Sequence, residues 1–161
     1  MLFHIGDKIA HPMHGAGVIA GVEKRKIDGV ESDYYVLQLP SGGMQVMIPV
    51  SSCESVGVRP IVDEQEANGI LSAIPDIEIE MTSNWNKRYR DNMQKIKSGN
   101  LLEVASVIKG LMLRENERGL STGERKMLHS AKQILISELV LSKQCSYDEV
   151  EQELAAAVCQ T

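Results

Sequence analysis

The sequence predicts an α+β protein in two units, a small N-terminal β-barrel over residues 1–60 and a compact C-terminal bundle of four to five helices over 61–161. Three observations predict it. Glycine and proline punctuate the first sixty residues at short intervals. Between them lie short runs rich in β-branched and aromatic residues. From about residue 64 the apolar residues instead recur at helical spacing, behind residues suited to cap a helix.

The strands come first. Gly15-Ala16-Gly17-Val18-Ile19-Ala20-Gly21-Val22 reads as a strand whose glycines suggest a bend or bulge. Asp28-Gly29 signals a tight hairpin, followed by the β-forming run Tyr34-Tyr35-Val36-Leu37-Gln38-Leu39. Ser41-Gly42-Gly43 predicts a second turn. Met44, Val46 and Ile48 then alternate with Gln45, Met47 and Pro49, the pattern of a half-buried strand. Four or five strands this short are too few for a large sandwich. A small closed or nearly closed barrel would suit them and leave few exposed edges.

The helices follow. One is predicted over 64–74, stopped by Pro75, and the acidic stretch 76–80 reads as a linker. A second spans 83–97, with Gly99 as its stop. A third opens on Asn100 with Glu103 three residues on, and ends before Gly119. Ser121 with Glu124, and Ser146 with Glu149, have capping-box spacing and open the fourth and fifth. The fourth carries a stripe of Met127, Leu128, Ala131, Ile134, Leu135 and Leu139.

Composition narrows the function. Of 161 residues, 43% are hydrophobic and 24% charged, which are globular values. The net charge of −5 argues against indiscriminate binding to nucleic acid, but the charge is unevenly distributed. Asp63, Glu64, Glu66, Asp76, Glu78 and Glu80 crowd residues 61–80 without a base. Lys87, Arg88, Arg90, Lys95 and Lys97 then face only Asp91 within 86–97. Cys53, Cys145 and Cys159 are widely spaced with no CxxC pair, which excludes a zinc ribbon or thioredoxin-type site and suggests reduced thiols. No apolar run approaches the ~18 residues of a membrane span. The N-terminal residues lack the pattern of a signal peptide. A soluble cytoplasmic protein is therefore expected.

The segment richest in chemistry is Thr82-Ser83-Asn84-Trp85-Asn86-Lys87-Arg88-Tyr89-Arg90. Thr82, Ser83 or Asn84 can cap a helix, which puts the single tryptophan at its first turn. There, unpaired N–H groups and the helix dipole favour phosphate. An aromatic ring beside basic residues can stack on a base or wedge at a groove edge. The residues alone leave a buried structural tryptophan equally open. Arg118, Arg125 and Lys126 form a second basic group, which pairing with Glu115, Glu117 and Glu124 would explain as well. His4, His11 and His14, with Cys53, match no metal-site spacing. Hydrolase, zinc-protease and phosphate-loop motifs are absent, so neither an enzyme nor a metal, cofactor or small-molecule substrate is expected.

Two groups of residues resemble the CarD/CdnL family of bacterial transcription regulators. Phe3-His4-Ile5-Gly6-Asp7-Lys8, His11-Pro12-Met13-His14-Gly15-Ala16-Gly17 and Tyr34-Tyr35-Val36-Leu37 are similar to its N-terminal RNA-polymerase-interacting domain, a Tudor-like, SH3-like barrel shared with transcription-repair coupling factors. Asn84-Trp85-Asn86-Lys87-Arg88-Tyr89-Arg90 and the segment Glu117-Arg118-Gly119-Leu120-Ser121-Thr122-Gly123-Glu124-Arg125-Lys126-Met127-Leu128 are similar to its helical domain. The likeness covers about residues 2–143. It implies that the barrel binds the RNA polymerase β subunit and that the helical unit contacts promoter DNA at the upstream edge of the melted region. Trp85 would wedge into the minor groove, with Lys87, Arg88, Arg90 and Arg125 on the backbone and little base-sequence preference. Arg25 matches a basic residue at the polymerase contact. Met47 stands where some relatives carry arginine, a departure within the polymerase-binding surface. The resemblance further implies association with the nucleoid through polymerase. Two other readings remain: a protein–protein adaptor without DNA contact, and a metal-dependent enzyme using the N-terminal histidines.

Overall fold

The computed structural model describes residues 2–40, 43–80 and 82–159. Strands β1 (Lys8–His11), β2 (Gly15–Ile27), β3 (Val30–Gln38) and β4 (Gln45–Pro49) are followed by a short helix α1 (Cys53–Val56) and strand β5 (Arg59–Pro60). Helices α2 (Glu64–Ala73), α3 (Trp85–Lys97), α4 (Leu101–Arg118), α5 (Thr122–Lys143) and α6 (Tyr147–Cys159) complete the described chain.

The strands form one antiparallel sheet in the order β4-β3-β2-β1-β5. Asp28 and Gly29 join β2 to β3 with φ of 52° and 80°, the left-handed pair that matches the twist of a two-residue hairpin. A bulge lies between Ile19 and Gly21. The extra residue keeps both Ile19 (opposite Leu37) and Val22 (opposite Tyr35) on the core face, where period-two alternation alone would have turned Val22 outward. The core of the sheet is Phe3, Ile9, Ile19, Tyr35, Leu37, Leu39 and Ile48. The Tyr35 hydroxyl is buried but accepts the Phe3 N–H at 2.9 Å, and the two rings meet edge to face.

Among the described residues the sheet is open, where a closed or nearly closed, Tudor-like barrel was expected. The physical reason lies between β4 and β5. A 3-10 turn and α1 place Cys53 and Val58 in the sheet's core, so a helical segment covers it in place of further strand pairing. Strand β5 has two residues, and Pro60 has no N–H to extend a ladder. Met44 also departs from expectation. It lies exposed before β4, while Val46 and Ile48 pack inward. Ser41 and Gly42 of the expected turn lie outside the described residues.

The helices begin where their caps predict. Asn84, Asn100 and Ser121 accept backbone N–H groups from the first turns of α3, α4 and α5, and Ser146 does so ahead of α6. Pro75 does not end α2 outright, because the chain makes one more 3-10 turn over Ile74–Asp76. That turn is held by Lys109 of α4. Its fully buried ammonium donates to the carbonyls of Ile74, Pro75 and Ile77 at 2.7–3.0 Å, which is why a lysine is tolerated among Val104, Ala105, Ile108 and Leu111.

Helix α5 packs into the helical core through Met127, Leu128, Ala131, Leu135 and Leu139, and it also meets the sheet. The Ala16 N–H donates to Ser137 Oγ at 2.8 Å. Arg59 forms a two-point ion pair with Glu138, at 2.7 and 3.0 Å, and the same carboxylate accepts the Val62 N–H at 2.9 Å. Glu138 is 1% exposed, so the segment leaving the sheet is tied to α5 by a buried charge rather than left as a swinging connection. Gly15, Ala16 and Ala10 provide the small surface that permits this approach.

Candidate nucleic-acid interface

Trp85 is the first residue of α3, directly after the Asn84 cap. It is 43% exposed, so it is not a core tryptophan. One turn on, Tyr89 stacks on it with ring centroids 5.2 Å apart and planes 19° from parallel. The pair lies over the start of α5. A Cβ on Gly123 would sit 3.8 Å from Trp85 Cζ2 and 3.9 Å from Tyr89 Cε2. The first turns of α3 and α5 therefore abut, and two positive helix ends share one surface.

The basic residues divide into two kinds. Lys87, Arg90, Arg118, Arg125 and Lys126 are exposed. Among the described residues none of these five has a carboxylate within 4.0 Å. Pairing with Glu115, Glu117 or Glu124 thus does not account for the second basic group.

Arg88 is of the other kind: it is 7% exposed and points inward. Its Nε donates to Glu124 Oε2 at 3.2 Å and its Nη1 to the Thr82 carbonyl at 3.0 Å. Arg114 Nε approaches the same Glu124 oxygen at 3.7 Å. Glu124 in turn closes the capping box of α5, with its N–H on Ser121 Oγ and its Oε1 accepting from that hydroxyl. Of the basic residues expected to face phosphate, Lys87, Arg90 and Arg125 are exposed, whereas Arg88 is buried. A run of alternating basic residues on a helix cannot all point one way, since the 3.6-residue period turns one of them into the bundle. Sequence reasoning did not single out Tyr89, Gly123 or Glu124 as partners of Trp85. The i,i+4 spacing of Trp85 and Tyr89 was the available signal for the stack.

On the sheet, Arg25 is exposed and 3.1 Å from Glu23. Arg25 opposes Ser32, and Met47 opposes Val36. Ser32 and Val36 are four apart on β3, so Arg25 and Met47 share the face turned away from the sheet's core. The hairpin tip adds exposed Ile27 and Val30, which the sequence reading did not single out.

The three N-terminal histidines and Cys53 do not gather at one point, although two of the histidines meet. His4 lies 3.9 Å from Asp7, Cys53 is buried and bonded to the Pro49 carbonyl, and the His11 and His14 rings are 4.6 Å apart. Among the described residues no group of three or more potential metal ligands forms. Nor is any described helix long and apolar enough to cross a membrane. Burial, with His14 nearby as the lesser cause, pushes the His11 pKa down from 6.5 to about 4, and its Nδ1 accepts the Met13 N–H at 3.0 Å. The folded state thus favours neutral His11. Its contribution to stability is intact above pH 6.5 and is lost as the pH falls towards 4. Denaturation midpoints at pH 7 and 4.5 should accordingly differ less for His11→Gln than for the wild type.

Comparison with known proteins decides the family. The family described as CarD-like/TRCF RID domain matches residues 3–62, and that described as CarD, C-terminal domain, matches residues 69–155. The chain belongs to the CarD family. A relative from Bacillus subtilis (strain 168), "Putative transcription factor YdeB", is 38% identical over 142 residues, covering 88% of this chain and 93% of that protein. In CarD terms, the sheet with Arg25 and Met47 falls within the first match, and the Trp85 surface within the second.

Proposed function

We propose that this CarD-family chain is a transcription regulator that binds the RNA polymerase β subunit through residues 1–60 and contacts promoter DNA through residues 61–161. There it stabilises the open complex at the upstream edge of the bubble. The observation that carries this reading is the exposed Trp85–Tyr89 stack, set where the first turns of α3 and α5 meet, on helices that also carry exposed cations with no carboxylate within 4.0 Å among the described residues. An aromatic ring with this exposure can enter a minor groove or cover the end of a base stack, while Lys87, Arg90 and Arg125 hold the backbone. Membership of a family whose N-terminal domain is shared with TRCF supports polymerase as the partner, with the face bearing Arg25 and Met47 as the contact.

The electrostatics fit a tethered binder. A chain of net charge −5 with one local cationic surface binds free DNA weakly. Docking on polymerase makes the DNA contact effectively intramolecular, so a weak contact suffices. A wedge acts through DNA deformability and needs little base readout. The test is association with promoter DNA across a salt series, with and without polymerase. Three phosphate contacts predict a log–log salt slope of about −3, reduced by about 1 in Arg125→Ala. Polymerase binding with no salt-dependent DNA contact would instead make the protein a polymerase adaptor whose basic surface meets another protein.

A further inference from the structure

The exposed ring of Trp85 is built into a seat, two of whose parts, Arg88 and Glu124, are buried. Tyr89 covers one face of the indole, Gly123 leaves room beneath both rings, and buried Glu124 follows Gly123 in the chain. Arg88, between Trp85 and Tyr89 on α3, grips Glu124 from the other side. We propose that Arg88, Gly123 and Glu124 are positioning residues. They lock the first turn of α3 against the first turn of α5 and so hold the indole in the pose in which it meets DNA. This rests on the DNA-wedge reading above and adds to it residues that touch no nucleic acid.

The physical case is one of geometry. A side chain at a helix start is free to change rotamer unless its neighbours fix it, and every degree of freedom lost on binding weakens binding. A seat assembled in the free protein removes that loss in advance. The Arg88–Glu124 pair suits the task because both groups are buried and Glu124 is bonded at both oxygens, to Arg88 Nε and Ser121 Oγ, which leaves it one placement. The Thr82 carbonyl on Arg88 Nη1 extends the lock to the chain just before Trp85. Gly123 explains itself in the same way: a larger side chain at that point would occupy the space of the two rings.

Trp85 is the single tryptophan of the chain, so its fluorescence reports the seat with no DNA present. The full-length variants Glu124→Gln and Gly123→Leu are compared with the wild type for emission maximum and acrylamide quenching, with helical circular dichroism as the check on folding. Both variants are expected to raise quenching and shift the emission, and to shorten the open-complex lifetime to that of Trp85→Ala while polymerase binding holds. If Glu124→Gln loses helix, Gly123→Leu, which removes no ion pair, decides the matter. Unchanged emission and quenching in the folded variants would overturn the seat, whatever happens on DNA. Raised quenching with a wild-type open-complex lifetime would overturn the positioning role, while a lifetime that Trp85→Ala itself leaves unchanged would overturn the wedge reading instead.

Discussion

Replacing Trp85 by alanine is expected to abolish open-complex stabilisation in a protein that still folds and still binds polymerase. The indole is 43% exposed, stacks on Tyr89 near Gly123 and is not among the residues of the helical core, so its removal takes little from that core. That core is made by Ile96, Val104, Ile108, Leu111, Leu128, Leu135 and their neighbours. The folding cost should be about 1 kcal/mol, the value of a partly buried aromatic contact. The loss on DNA should be larger in relative terms. Aromatic–base stacking is worth roughly 1–3 kcal/mol per base, so the lifetime of the complex should fall by on the order of tenfold, back to that of polymerase alone. The measurement is dissociation of the open complex after challenge with competitor, alongside thermal unfolding and polymerase binding of the variant. A variant that unfolds would return Trp85 to a structural role.

The second large effect concerns the contact between sheet and helices. Gly15→Ala is expected to destabilise the protein by about 3 kcal/mol, or roughly 10 °C in the unfolding midpoint for a chain of this length. Gly15 has φ +98°, which disfavours any side chain, and a Cβ there would lie 2.5 Å from Ser137 Oγ and 3.2 Å from the Gln133 carbonyl. Part of the collision is with helix backbone, so it cannot be relieved by a rotamer change alone, and moving Ser137 would loosen its bond to the Ala16 N–H. Gly29→Ala is the control. Gly29 shares a positive φ of +80° but a Cβ there meets nothing within 4 Å among the described residues, so it should cost about 1 kcal/mol, the backbone term alone. The difference between the two variants isolates the packing of α5 on β2. Because the proposal places polymerase on the sheet and DNA on the helices, Gly15→Ala should also impair the tethered DNA contact more than Gly29→Ala does.

Local chemistry in the sequence announced most of the elements. Side-chain caps at Asn84, Asn100, Ser121 and Ser146 set the helix starts, and Asp28-Gly29 set the hairpin, because those signals act over three or four residues. What escaped was decided by distant partners. Nothing near Lys109 reveals that three carbonyls over thirty residues away receive it. The glycines of the run Gly15 to Val22 suggested a bend or bulge, and a bulge lies between Ile19 and Gly21, but nothing local shows that Gly15 is required by Ser137, more than 120 residues later. The open sheet depends on how residues 50–58 fold back, which alternation does not encode. In the candidate site, Lys87, Arg90 and Arg125 were legible as charged residues and are exposed, while the residues alone left Trp85 open between core and surface. Arg88 was read with them from its charge alone, and it is the buried Glu124, 36 residues on, that draws it inside.

The most direct test of the account is the lifetime of a promoter open complex formed by bacterial RNA polymerase at moderate salt, with and without this protein. A polymerase-tethered wedge predicts a clear lengthening that Trp85→Ala does not reproduce. An unchanged lifetime, with binding to polymerase confirmed in the same mixture, would contradict it.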